Sequence, residues 1–107
     1  MTSSSVPAPF VPAPSGWRIA LGDPENRDIG IVPLVGWQLL ADGAPCSISS
    51  TLLEPVVLFD NVREPGIRTV LETLAGYPEG SYVHQVLAPG VDLRDVPEGW
   101  DVVVYRG

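Results

Sequence analysis

Apolar positions along this chain fall into short runs closed by turns, and three of the runs open alike. Gly16-Trp17, Gly36-Trp37 and Gly99-Trp100 are each followed by one polar residue and then an apolar stretch: Ile19-Ala20-Leu21, Leu39-Leu40-Ala41 and Val102-Val103-Val104. Gly22-Asp23-Pro24 and Asp42-Gly43-Ala44-Pro45 follow two of them, and both are turn chemistry. The pattern predicts strands over 16–21 and 29–40 and a third within 47–59, in its second half 53–59, with an acid-rich turn over 22–28 between the first two. Connections this short make an antiparallel meander, because parallel crossovers need a dozen residues or more. Pro33 and Gly36 interrupt the second strand and predict a bulge or an edge position.

The period then changes. Ile67, Val70, Leu71 and Leu74 stand at i, i+3, i+4 and i+7, the stripe of a helix packed on a core. Glu64 reads as its N-cap and Pro65 as its first residue; Gly76 and Pro78 stop it. A fourth strand follows over 81–88, a Pro89-Gly90 turn, a loop over 91–99 and a last strand over 100–105. The predicted fold class is α+β: a small antiparallel sheet of four or five strands with one helix packed on it. Its core is expected to contain Trp17, Ile19, Leu34, Trp37, Leu39, Val57, Ile67, Val70, Leu71, Leu74, Val102 and Val104.

Residues 1–15 break both patterns. Val6-Pro7-Ala8-Pro9-Phe10 and Val11-Pro12-Ala13-Pro14-Ser15 form a tandem repeat in which alternating prolines remove amide donors and fix φ. The expectation is an extended Pro-rich arm over 1–15 ahead of a single domain over 16–107. Val6, Phe10 and Val11 are its candidate partner-binding residues, since a purely solubilising tail rarely needs a phenylalanine.

Charge narrows the function. Thirteen acids stand against six bases, a formal net charge of −7, and the chain has no lysine. That argues against nucleic-acid phosphate and against anionic membrane surfaces. No apolar stretch is long enough to span a bilayer, and the first residues lack the basic and apolar regions of a secretory signal. The expected location is cytoplasmic, or a virion for a phage-derived chain.

Candidate chemistry is sparse. Cys46 is the one cysteine and His84 the one histidine, so neither a disulfide within the chain nor a thiolate zinc site can form. A Cys46/His84 nucleophile pair needs only proximity, but no helix N-terminus or Gly-rich elbow flanks Cys46 to lower its pKa. The Asp23-Pro24-Glu25-Asn26-Arg27-Asp28 loop offers oxygen ligands for a hard cation, without EF-hand spacing and with Arg27 inside it. Asp92, Asp95 and Glu98 read the same way around Arg94. No phosphate-binding Gly-Lys loop or dinucleotide fingerprint is present.

Pro14-Ser15-Gly16-Trp17-Arg18, Pro33 through Leu39, and Glu54-Pro55-Val56-Val57 resemble small uncharacterised proteins of actinobacteria and their phages over the first half of the chain. The resemblance implies a source and no activity. The leading expectation is therefore a non-catalytic protein–protein interaction or assembly protein without cofactor, in its sharpest form an accessory subunit of a phage or other particle docking through its arm. One alternative is an acidic inhibitor or immunity-type protein that covers a basic partner. The other is a small enzyme using Cys46 and His84, or a metal at the Asp23–Asp28 loop.

Overall fold

The fold is organised around one long strand. In the computed structural model, which describes residues 10–41, 45–48, 53–59 and 66–105, the strands are β1 (Phe10–Pro12), β2 (Arg18–Asp23), β3 (Asp28–Leu39), β4 (Leu53–Phe59), β5 (Gly66–Thr69), β6 (Tyr82–Leu87) and β7 (Asp101–Val104). One helix is found among the described residues, α1 (Val70–Ala75), and it follows β5 directly. The strands form one mostly antiparallel sheet, with the order β5-β4-β3-β2-β6 and with β1 and β7 also paired to β3. The α+β class therefore holds, with seven strands among the described residues in place of four or five.

Both edges of β3 are used twice. Along its first half β2 pairs antiparallel, from Arg18 opposite Pro33 to Asp23 opposite Asp28. β7 pairs parallel with Asp28–Ile31, so it takes the opposite edge from β2. Along the second half, β4 pairs with residues 34–39 and β1 with Gly36–Gln38, again from opposite sides. A bulge between Leu34 and Gly36 separates the halves, where the sequence pattern placed it. Such a bulge bends the strand and lets it serve two pairings.

The last part of the expected arm belongs to the sheet. β1 and β2 run in the same direction along β3, with Ala13 N–H donating to Val35 O at 2.9 Å and Leu34 N–H to Trp17 O at 3.0 Å. Alternating prolines do not forbid this pairing, because at an edge a missing N–H can face away from the ladder. Gly36 makes it sterically possible. A Cβ there would meet the ring of Phe10 and stand 2.5 Å from the carbonyl oxygen of Val11. Gly36→Ala is expected to cost about 1–3 kcal/mol by overpacking and to release β1. In a chain lacking residues 1–14 the same substitution should be nearly neutral; paired thermal melts of the four chains test this.

Two apolar layers flank the sheet. On one face Ile19, Leu21, Val32, Leu34, Val57 and Val70 are buried, with Trp17, Trp37, Leu74 and Tyr77 packed against them. Trp17 and Trp37 meet edge-to-face, with centroids 5.2 Å apart and planes at 83°, a favoured aromatic geometry. On the other face Ala20, Ile29, Ile31 and Leu87 are buried beneath Val91, Leu93 and Trp100. That second layer is a loop held down by side chains. Arg18 donates to Val91 O at 2.9 Å, and Gln85 accepts from Arg94 N–H at 2.9 Å.

The helix is shorter than its stripe predicted. Ile67–Thr69 pair with β4 as strand, and the helix starts at Val70. Thr69 is the N-cap: its hydroxyl accepts from Glu72 N–H while the Glu72 carboxylate accepts from Thr69 N–H, a capping box. Glu64 and Pro65 lie outside the described residues. The later start turns the buried stripe to Val70, Thr73, Leu74 and Tyr77, so Leu71 and Ile67 are exposed. Leu39, Val102 and Val104, also expected in the core, are exposed as well. Leu39 closes β3, and the two valines lie on β7 at the margin of the sheet. Trp17, Trp37 and Leu74 are half-buried, and the other expected core residues are buried.

A buried carboxylate ties the helix to the sheet. Glu54, on β4, is 1% exposed. One of its oxygens accepts from Leu71 N–H at 2.6 Å and the other from Ser47 N–H at 2.6 Å. Leu71 N–H is one of the donors that a helix start leaves without an intrahelical partner, so an anion there satisfies both the hydrogen bond and the local dipole.

Candidate functional site

The residues singled out in the sequence do not converge. Cys46 precedes β4, where its Sγ lies 3.7 Å from Leu53 O. Burial pushes its thiol pKa up, and the Glu54 carboxylate adds to the effect. This is the opposite of what a nucleophilic thiolate needs. His84 lies on β6, with β3 and β2 between it and β4 in the sheet. Its Nε2 is 2.6 Å from Arg94 O; a carbonyl only accepts, so Nε2 carries the proton. His84 thus helps hold the loop that covers the second apolar layer, and the structure does not bring the two reagents together.

The Asp23–Asp28 loop is a hairpin turn. Asp23 Oδ1 accepts from Glu25 N–H at 3.1 Å and Asn26 N–H at 3.2 Å, and Oδ2 from Asn26 Nδ2 at 2.7 Å. Arg27 adopts φ 54° to close the turn. Both Asp23 oxygens are therefore engaged within the chain. Among the described residues no group of three or more His, Cys, Asp or Glu side chains is placed to share a metal ion. Of the arm residues, Phe10 is half-buried over Gly36, Val11 is exposed, and Val6 lies outside the described residues.

What the chain does assemble is a cleft beside β7. It has a volume of about 210 Å³ and is lined by Asp23, Asn26, Asp28, Gly30, Gly76, Tyr77, Pro78 and Tyr105. Three separate segments meet there: the β2–β3 hairpin, the end of α1 and the residue after β7. Gly76 N–H donates to Thr73 O and Tyr77 N–H to Leu74 O, both at 3.1 Å, which turns the chain out of the helix and places Tyr77 over the hairpin. Tyr105 N–H donates to Ile31 O at 2.8 Å. That bond fixes Tyr105 beside Gly30, where an added Cβ would be 3.0 Å from its ring. Burial pushes the Tyr77 phenol up to about 12, with Tyr105, Asp28 and Asp23 adding to the shift. Tyr77 therefore stays a neutral hydrogen-bonding group at neutral pH, in a setting that disfavours further negative charge.

The second feature is β7 itself. Asp101 N–H donates to Arg27 O at 3.0 Å and Tyr105 N–H to Ile31 O. Donors in a strand alternate sides, so the amides of Val102 and Val104 point away from β3. Among the described residues no strand pairs with that outer edge. Val102, Val103 and Val104 are all exposed, Val104 by 61%. Three successive exposed valines on an unpaired edge are a template for strand addition.

Neither surface stood out in the sequence, for different reasons. Val102 and Val104 read as core residues because a run of three valines does not say which side of the strand is covered. The cleft had no linear motif, since its parts are distant in the chain. The usable signals were the Thr69-x-x-Glu72 capping box, which marks the true helix start, and Tyr77 at i+7 from Val70. No helix among the described residues is long and apolar enough to cross a membrane. Comparison with protein-family models, with curated proteins and with solved structures finds no match.

Proposed function

We propose that this chain is a non-catalytic protein-interaction domain that takes up an extended, basic segment of another protein along the outer edge of β7. The unpaired, valine-rich edge of β7 is the observation that carries this reading. Strand addition supplies main-chain hydrogen bonds from the partner, and alternate side chains supply specificity. Charge selects the partner. A net charge of −7, with Asp101 opening β7 and Asp28 opposite it in register, attracts a basic segment and repels a second copy of the same chain. The inhibitor or immunity-type alternative is one form of this reading, because it also covers a basic partner. Val11, exposed on β1, is a second contact through which the arm would extend the surface.

Val102→Pro tests the edge. It removes an outward-facing donor and places a ring in the path of an incoming strand, while the β7–β3 ladder keeps its own bonds. The variant is expected to melt within about 1 kcal/mol of the parent. It should bind an alternating Val/Arg peptide at least about tenfold more weakly, and the parent should ignore the Val/Glu peptide of the same length. Equal peptide binding by parent and variant would refute the edge. Dimers of the parent that Val102→Pro dissolves, seen by sedimentation, would replace the basic partner with a second copy.

A further inference from the structure

We propose that the cleft between Tyr77 and Tyr105 receives a guanidinium group, presented by an arginine of the segment that β7 takes up. The source of the arginine rests on the reading of β7 above; the preference of the cleft for a guanidinium does not. The volume of about 210 Å³ lies below the roughly 300–1,000 Å³ of pockets that enclose whole small molecules. It suits one functional group.

The lining decides which group. Asp23 and Asp28 are direct partners in the β2–β3 register, an arrangement in which like charges oppose each other and cost stability. Among the described residues no basic side chain lines the cleft. Asp23 is absorbed by the turn, with three donors on its two oxygens. Asp28 is not: its carboxylate has no hydrogen-bond or ion-pair partner among the described residues. Tyr77 and Tyr105 also line the cleft, and a planar cation stacks on phenol rings while donating to a carboxylate at its edge. A neutral Tyr77 hydroxyl adds an acceptor. An anion would meet two carboxylates, and an apolar group would leave Asp28 desolvated and unpaired. A calcium ion needs six to eight oxygens, and three of the roughly four acceptor sites of Asp23 are already taken by the turn.

Placement links the cleft to the edge strand. Tyr105 directly follows β7, and Asp28 and Gly30 belong to the stretch of β3 that β7 pairs with. A segment added outside β7 runs past the open side of the cleft, and its alternate side chains face the same side of the sheet as Tyr105.

The test uses arginine amide as the probe and citrulline amide, its uncharged near-isostere, as control, read by the ring resonances of Tyr77 and Tyr105. Arginine amide should shift both rings saturably, and citrulline amide should bind at least about tenfold more weakly. Asp28→Asn should weaken arginine amide by about tenfold with the amide spectrum of the fold retained. Tyr77→Leu, which keeps the carboxylate and removes a ring, should weaken it as well. Equal binding of the two amides, or an unchanged affinity in both variants, overturns the proposal. So does calcium at millimolar concentration displacing the probe, which would make the cleft a metal site. Val102→Pro separates the two readings. If it binds arginine amide but has lost the Val/Arg peptide, both stand. If it binds both as the parent does, the cleft stands and the β7 reading falls.

Discussion

Leu21→Ala is expected to lower the free energy of unfolding by about 2–5 kcal/mol, and Leu71→Ala by about 1 kcal/mol or less. The two substitutions delete the same atoms, so the difference isolates their surroundings. Leu21 is fully buried in the larger apolar layer, between β3 and β6, and the walls of that site are strands that cannot collapse into the space. Leu71 is 37% exposed on the outer side of α1. Urea unfolding followed by tryptophan fluorescence measures both, because Trp17 and Trp37 pack against the same layer. Equal losses would mean that the helix lies on the sheet by the face that carries Leu71.

Glu54→Ala is expected to cost about 2–3 kcal/mol, for a reason unrelated to volume. Two backbone donors, at Leu71 and Ser47, lose their acceptor, and each buried donor left without a partner costs about 1–3 kcal/mol. Part of this is recovered, because the substitution also removes a carboxylate whose burial was unfavourable in itself. Glu54→Gln keeps the volume and one oxygen but turns an NH2 group toward one of the two amides. It is expected to lose about half as much. The local readout is amide exchange at Leu71 and Ser47, which should accelerate in both variants before global unfolding does. A Glu54→Gln chain that melts with the parent and keeps both amides protected would show that the carboxylate is not what anchors the helix.

How much of this was legible in the sequence differs element by element. The β2–β3–β4 meander was, because Gly22-Asp23-Pro24 is local turn chemistry, and strands joined by short turns have few ways to pair. The bulge was foreseeable from Pro33 and Gly36. The start of the helix is marked in the sequence by Thr69 and Glu72 rather than by the apolar stripe. Ile67 extends the helical period by one position beyond the cap, yet Ile67 and Thr69 are β-branched and sit well on a strand. β1 was hidden by its prolines, which suppress every local strand signal and still leave an edge position open. β7 as an edge strand, parallel to β3, had no local signature, since nothing near Val102–Val104 refers to Asp28–Ile31. The cleft is illegible for the same reason: Asp28, Tyr77 and Tyr105 become neighbours only when three distant segments have packed. His84 and Cys46, the residues that chemistry made conspicuous, turned out to be placed by hydrogen bonds to nearby carbonyls.

The double use of β3 also bears on how the chain reaches this structure. The β2–β3 hairpin closes across a few residues, an event of microseconds. The parallel pairing of β7 joins positions 28–31 to positions 101–104, and such distant closure comes late. In the interval Asp28–Ile31 offers an open edge, with Ile29 and Ile31 not yet covered. The strand that fills this edge need not come from the same molecule. In a concentrated refolding mixture, β7 of one chain can complete β3 of another with the same register and the same bonds, with the 88–100 loop as the hinge. Exchanged dimers of this kind would bury the valines of neither copy more deeply than the monomer does, and would convert back only as fast as β7 can leave.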